Sequence, residues 1–439
     1  MIGDVYILNQ NLEKIGIVDT YRSLIWSKRY RKPGDCELYL SASAKNVELL
    51  QVGNYVMRSD DDMICRIKRT QITTDVENGN YLTVTGYDVK ELLNQRIVWG
   101  MATADGNAEM FARSVINSAL GSDASAERQM KKPDGTLLLQ LGTVAGFTDV
   151  TTEQVNFANI GEKVVEWCER YEWGSRARLS GGKFVFEFYR GADRSSYVIF
   201  SPKYENIRTT MYTRDATNLG NIGVIGAEGS GFNKTRSFVG NAEGIERYEF
   251  YIDGRDLSRT ISFGEIRATY PQGHVIYSEE HPTYPRYYNV APYELYVYDE
   301  EHLAYLQEHY PGGHEEIIDG HLYWVFTFKY IATFEDPEAA QGDPPPDTAL
   351  LRLDNATYIS YLLAQAYGKL AEHGEKTDFN GSAEPNTTFV YKQDYFLGDL
   401  VTVENEYGIK LKARIVEITE VHDDDGYSFD PIFEYITEE

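Results

Sequence analysis

The glycine-rich run Gly220–Thr235, GNIGVIGAEGSGFNKT, is the stretch whose composition comes nearest to a phosphate-binding loop. That chemistry needs a lysine and a hydroxyl residue directly after the second conserved glycine, where a helix begins and the ammonium reaches the phosphates. Here Phe232 and Asn233 separate Gly231 from Lys234 and Thr235, and no helical periodicity follows, so the run predicts a strand and a glycine loop. His302, His309, His314 and His321 cluster beside Glu315 and Glu316, but their spacings of seven, five and seven put no two imidazoles on one helix face. They read as surface histidines. Asp423, Asp424 and Asp425 form an acidic run before Gly426 that lacks the twelfth-position carboxylate and helix–loop–helix setting of a calcium loop. This run, and Asp60-Asp61-Asp62 near the other end of the chain, read as solvated turns between strands. The 68 acidic residues offer many carboxylate pairs, and no motif singles one out. There is no GxSxG elbow and no Cys/His pairing of meaningful spacing. No catalytic residue, cofactor-binding residue or metal ligand is assigned, and no cofactor is expected.

The elements that could position such residues are β-rich. A net charge of −26 repels phosphate, which argues against tight binding of duplex DNA or RNA but not against DNA passing by. The 34 tyrosines suit half-buried sheet faces and interfaces. No apolar run reaches the roughly 18–20 residues of a membrane helix. The N-terminal MIGDVYILNQNLEK has no basic region followed by an apolar core, so no signal peptide is expected. Three dispersed cysteines, Cys36, Cys65 and Cys168, argue against a disulfide scaffold and for synthesis in a reducing compartment.

Phe396–Phe433 contains three apolar runs, Asp399–Val403, Ile409–Ile418 and Tyr427–Phe433, separated by polar turns. Val52–Val84 repeats the pattern. Gly53-Asn54-Tyr55-Val56 answers Gly398-Asp399-Leu400-Val401, Cys65-Arg66-Ile67 answers Ala413-Arg414-Ile415, and Asn78-Gly79 answers Asp425-Gly426. One chain thus carries two copies of a small β-module.

The expected class is α+β and β-rich, with two similar antiparallel β-barrel modules at the chain ends and α+β domains between. Residues 1–98 form the first barrel module, closed by a short helix over Val89–Leu93. Residues 99–203 are α+β, with helices over Asp105–Leu120 and Ile160–Tyr171 and a hairpin strand FVFEFY beside Gly181-Gly182. Residues 204–265 are a β segment completing the barrels, and 266–347 an irregular, tyrosine-rich acidic insertion ending in GDPPPD. Residues 348–376 hold the clearest helix, capped by Asp354 or Asn355 and ended by Gly374, and 377–439 form the second barrel module.

With these stretches in view, the chain resembles the tail-hub proteins of siphophages. That family is related to the myophage baseplate hub and to the N-terminal region of tail-associated lysins. The resemblance is carried by Arg29–Leu40, Ile72–Val98, Tyr189–Ile207 and Asp394–Ile418. It implies a structural virion protein at the tail tip or baseplate, made in the bacterial host cytoplasm. It also implies a homotrimer whose six barrels join the sixfold tail tube or distal tail ring to the tail tip. The implied partners are the distal tail protein, tail tube, tape-measure protein and tail-tip or receptor-binding proteins. DNA would pass through the channel without specific binding, and no stable membrane insertion is expected. The chain stops at residue 439, directly after the second module, so wall-degrading activity is expected to belong to another tail protein. The alternatives are a tail-associated cell-wall-degrading enzyme and a host-surface glycan-binding tail protein, in which Trp324 and the tyrosines of 266–347 would stack on sugar rings.

Overall fold

The computed structural model describes residues 3–75, 79–230, 234–278, 281–291, 295–297, 307, 314–318, 321–326, 329–383 and 388–436. Among these, thirteen strands join one sheet. From the N-terminal part come β1 (Val5–Leu8), β2 (Lys14–Val18), β3 (Ser23–Arg29), β4 (Asp35–Ser41), β5 (Tyr55–Arg58), β6 (Ile64–Asp75) and β7 (Gly79–Asp88). Later segments supply β8 (Ile199–Phe200), β9 (Ile207–Asp215), β10 (Lys376–Ala383), β11 (Leu400–Glu404), β12 (Lys410–Asp423) and β13 (Gly426–Tyr435). The sheet runs β9-β10-β13-β12-β3-β4-β7-β6-β5-β1-β2, with β11 beside β12 and β8 beside β11.

This order is one arrangement used twice. β3-β4-β7-β6-β5-β1 is matched, strand for strand, by β9-β10-β13-β12-β11-β8, and the β3–β12 ladder joins the two. One difference stands out: β1 pairs antiparallel with β5, whereas β8 pairs parallel with β11. Alternation of apolar residues along the strands gives each unit its own core. The first closes on Val5, Leu24, Trp26, Leu38, Val56 and Val84. The second closes on Phe200, Ile207, Phe379, Val401, Ile415 and Phe433. Each unit packs around that core, and among the described residues no ring of hydrogen-bonded strands closes.

The intervening segments cover the outside. The helix Ala108–Leu120 is capped by Asn107, and the helix Ile160–Arg170 by Asn159. With the hairpin Gly174–Ser180/Lys183–Tyr189 they pack on Leu8, Tyr55, Ile64 and Leu92 of the first unit. Gly181 and Gly182 both take positive φ in that hairpin turn, which glycine adopts without a Cβ penalty.

Of residues 204–265, assigned from sequence to complete both modules, Ile207–Asp215 lies in the large sheet as β9. Ile222–Gly226 instead forms a separate sheet with Arg236–Val239 and Glu249–Asp253. The segment 266–347 is not irregular where it is described. His274–Tyr277, Pro285–Ala291 and Lys329–Phe334 join Leu350–Leu353 and Thr260–Ser262 in a five-stranded sheet. Leu295–Val297, His314–Ile318 and His321–Phe326 form a three-stranded one. Aromatic and β-branched residues such as Tyr288, Ile331 and Phe334 drive this pairing by burying into a core with the helix Asn355–Glu372, which Asp354 caps. Residues 216–375 are therefore an insertion between two adjacent strands, with Asp215 paired to Lys376.

Candidate functional site

The residues with the best claim to chemistry by type are dispersed. Ile222–Gly226 of the glycine run is a strand leading to the strand Arg236–Val239, and among the described residues between them no helix begins that could receive phosphate; Gly231, Phe232 and Asn233 lie outside the described residues. His302 and His309 also lie outside them, while His314 and His321 sit at opposite ends of one hairpin ladder. Among the described residues no group of three His, Cys, Asp or Glu side chains converges to hold a metal ion. Cys36, Cys65 and Cys168 are buried free thiols, and burial pushes the Cys168 thiol up to about 12. Asp423–Gly426 is the tight turn of the β12–β13 hairpin, as the sequence suggests.

What the fold does bring together is the repeat. Gly53 N–H donates to Ile67 O at 2.9 Å, and Gly398 N–H to Ile415 O at 2.8 Å. Ile67 N–H returns to Asn54 O, and Ile415 N–H to Asp399 O. Tyr55 faces Arg66 as Leu400 faces Arg414. Both long hairpins slip by one residue at the same place, between Ile67 and Arg69 in the first unit and between Ile415 and Glu417 in the second. A shared bulge fixes which face each later side chain occupies, so the two hairpins present equivalent positions from there to their tips.

The two units meet along β3 and β12, where seven residue pairs run from Glu417–Arg29 to Asp423–Ser23. The Arg29 guanidinium donates from Nε to Glu417 at 2.9 Å and also pairs with Asp35. Arg58, whose side chain is fully buried, bridges Asp60 at 2.6 Å and Glu420 at 3.1 Å, and lies over the Trp26 ring. Asp61 is not the solvated turn residue expected from sequence. Its buried carboxylate takes Lys28 at 3.1 Å and Lys392 at 2.7 Å. Burial alone would raise the Asp61 carboxyl, but Lys28 and Lys392 outweigh it and hold it well below the usual carboxylate range. By pairing position, the Asp60–Asp62 turn between β5 and β6 corresponds to the turn between β11 and β12, not to Asp423–Asp425. The sequence signal for this cluster was a charge in the inward phase of a strand, Arg58 two residues after Val56 and Glu420 two residues after Ile418.

A cleft of about 590 Å³ opens beside this cluster, lined by Lys28, Asp61, Lys90, Tyr189, Lys392 and Asp399 among others. Lys90 is the residue there with a nucleophile's profile, since burial pulls its ammonium down. Its Nζ, however, donates to the carbonyls of Arg29, Lys32 and Ser175 at 2.8–3.0 Å, so its three N–H groups serve as a clamp between loops. Asp399 is likewise committed, accepting from Ala192 N, Phe396 N and Arg194. The cleft is walled by charges that hold one another.

Residues 4–433 match the siphovirus ReqiPepy6 Gp37-like protein family. The chain belongs to that family of siphovirus tail proteins. Its fold is similar to that of the 43 kDa tail protein of prophage MuSo2 from Shewanella oneidensis. That likeness has a TM-score of 0.50 at 9% identity and covers 98% of each chain. The prophage tail protein gp18 from Listeria monocytogenes EGD-e is similar at a TM-score of 0.48 and 8% identity, over 100% of this chain and 96% of that one. A comparison with curated protein sequences finds no match. No helix among the described residues is long and apolar enough to cross a membrane.

Proposed function

We propose that this siphovirus tail protein is the tail hub, a homotrimeric ring that joins the sixfold tail tube or distal tail ring to the tail tip and frames the DNA ejection channel. The observation that carries the reading is the doubled unit: two six-strand arrangements of equal order, with the same ladder register and bulge, joined in one sheet. Three such chains display six near-equivalent units, which meet sixfold symmetry on one side and threefold symmetry on the other. Each unit acts as a barrel-like module of the ring. A net charge of −26 keeps phosphate from sticking while the genome passes. The partners in this reading are the distal tail protein, tail tube, tape-measure protein and tail-tip or receptor-binding proteins, and the location is the tail end of the virion. Its work is assembly rather than catalysis, in keeping with the mutually paired charges of the cleft.

Imaging of purified tails, with subunit stoichiometry by quantitative mass spectrometry, tests this. Three copies per tail in a ring of six similar lobes are expected. A monomer absent from virions overturns the proposal. Zymography on host cell walls tests the non-enzymatic part: no clearing is expected, and clearing abolished by a single Asp or Glu substitution overturns it.

A further inference from the structure

Within the chain, the outer edge of β12 beyond its bulge is filled by β3. The equivalent stretch of the first unit, Arg69–Thr74 of β6, pairs with β7 on one side only, because β5 reaches no farther than Ile64–Arg66. The equivalent of β3 in the second unit is β9, whose stretch Thr210–Arg214 pairs with β10 on one side only. Among the described residues no strand covers either edge. One chain therefore holds one filled copy of a ladder and the two separated halves of a second copy.

We propose that β6 of one protomer pairs antiparallel with β9 of a second copy of this chain, in the register that β12 and β3 use internally. That register follows from the matched ladders. β12 maps onto β6 through the shared bulge, so Glu417 corresponds to Arg69 and Glu420 to Ile72. β3 maps onto β9 through their partners β4 and β10, which face β7 and β13 at equivalent positions, so Arg29 corresponds to Asp215 and Trp26 to Tyr212. The intermolecular pairs are then Arg69–Asp215, Thr70–Arg214, Gln71–Thr213, Ile72–Tyr212, Thr73–Met211 and Thr74–Thr210.

Two independent features of the edges fit this occupant. The first pair repeats the internal Arg29–Glu417 ion pair with the charges exchanged, since arginine now comes from the β12-like strand and the carboxylate from the β3-like one. The centre of the ladder would cover large apolar side chains that stand in solvent in the single chain: Ile72 is 54% exposed, Met211 57% and Tyr212 37%. Exposed apolar groups on a bare strand edge are a hazard unless a partner strand takes them. The contact is head-to-tail, with one β6 edge and one β9 edge per protomer, so it propagates until a ring closes. Closure at three protomers rests on the tail-hub reading; the ladder itself rests on the two edges.

The test uses the full-length protein, assembled in tails and as the purified oligomer. Ile72→Cys with Tyr212→Cys should give disulfide-linked dimers and trimers on oxidation, and Ile72→Cys with Thr210→Cys, two residues out of register, roughly tenfold less. Arg69→Glu should lower the yield of the in-register link by on the order of tenfold, and adding Asp215→Arg should restore it. Equal linking in both registers, failure of the charge exchange to rescue, or linking to a different tail protein overturns the ladder. Three copies per tail without any Ile72–Tyr212 link would overturn the ladder and leave the hub reading standing. A protein that is monomeric and absent from tails overturns both.

Discussion

Asp61 is surrounded by two ammonium groups and excluded from water, and this makes it the most consequential carboxylate of the junction. Its folded-state pKa lies below the unfolded value of about 3.9, so its contribution to stability is fully present above that value. The contribution is lost as pH falls through the acid range toward the folded value. Asp60, held low by Arg58 against the opposing effect of its own burial, acts in the same direction. Urea midpoints should therefore drop steeply below about pH 4. Asp61→Asn should remove roughly 3 kcal/mol at pH 7, because it leaves Lys28 and Lys392 facing a neutral amide. The same variant should flatten the acid limb of the stability profile. A variant as stable as the parent at pH 7, with an unchanged acid limb, would show that the cluster contributes little.

At the scale of elements, the repeated glycine before β5 and β11 shows how one backbone device is used in two settings. Gly53 and Gly398 take φ of 95° and 93°, a conformation that ordinary side chains resist. A Cβ on Gly53 would meet the Gln10 side-chain nitrogen at 3.0 Å, the far end of a flexible group. One on Gly398 would lie 2.3 Å from the Tyr30 ring, which is wholly buried and held by Glu172 O and Tyr189 O. Gly53→Ala should cost about 1–2 kcal/mol from the backbone alone. Gly398→Ala should cost roughly 2 kcal/mol more, because the ring must move in a close-packed core. Urea unfolding of the two variants side by side measures the difference. These glycines were legible in the sequence, as were the arginines thirteen and sixteen residues on, because tight turns admit few residue types. The Asp354 cap and the Gly181-Gly182 turn were legible for the same reason. The β9–β10 ladder was not, since its strands are separated by residues 216–375 and pairing over such a distance leaves no local mark. Nor was the burial of Asp61, whose acidic neighbours give the run a solvated composition while Lys28 arrives from β3 and Lys392 from the turn ahead of β11.

At the scale of the whole molecule, residues 216–375 enter and leave the large sheet at neighbouring points, because Asp215 and Lys376 face each other at the end of an antiparallel ladder. The insertion carries its own core, from Ile225 and Ile252 through Phe334 to Tyr358 and Leu362. It rests on the strands Met101–Asn107 and Val150–Asn156, where Gln154 Nε2 donates to Ser258 O at 3.1 Å, Asn156 donates to Asp256 O, and Met101 packs against the insertion's core. An element whose ends already meet adds little to the loop-closure cost of its host. Replacing residues 216–375 with an Asn-Gly turn, the two-residue connection that suits an antiparallel pair, should therefore leave β9 joined to β10. The shortened chain should still unfold cooperatively and still form the Ile72–Tyr212 link between protomers, because both edges of the proposed ladder lie outside the deleted segment. Non-reducing gels of the shortened double-cysteine variant measure this directly. Loss of the link in a chain that remains folded by circular dichroism would assign the insertion a part in ring assembly rather than in a separate task.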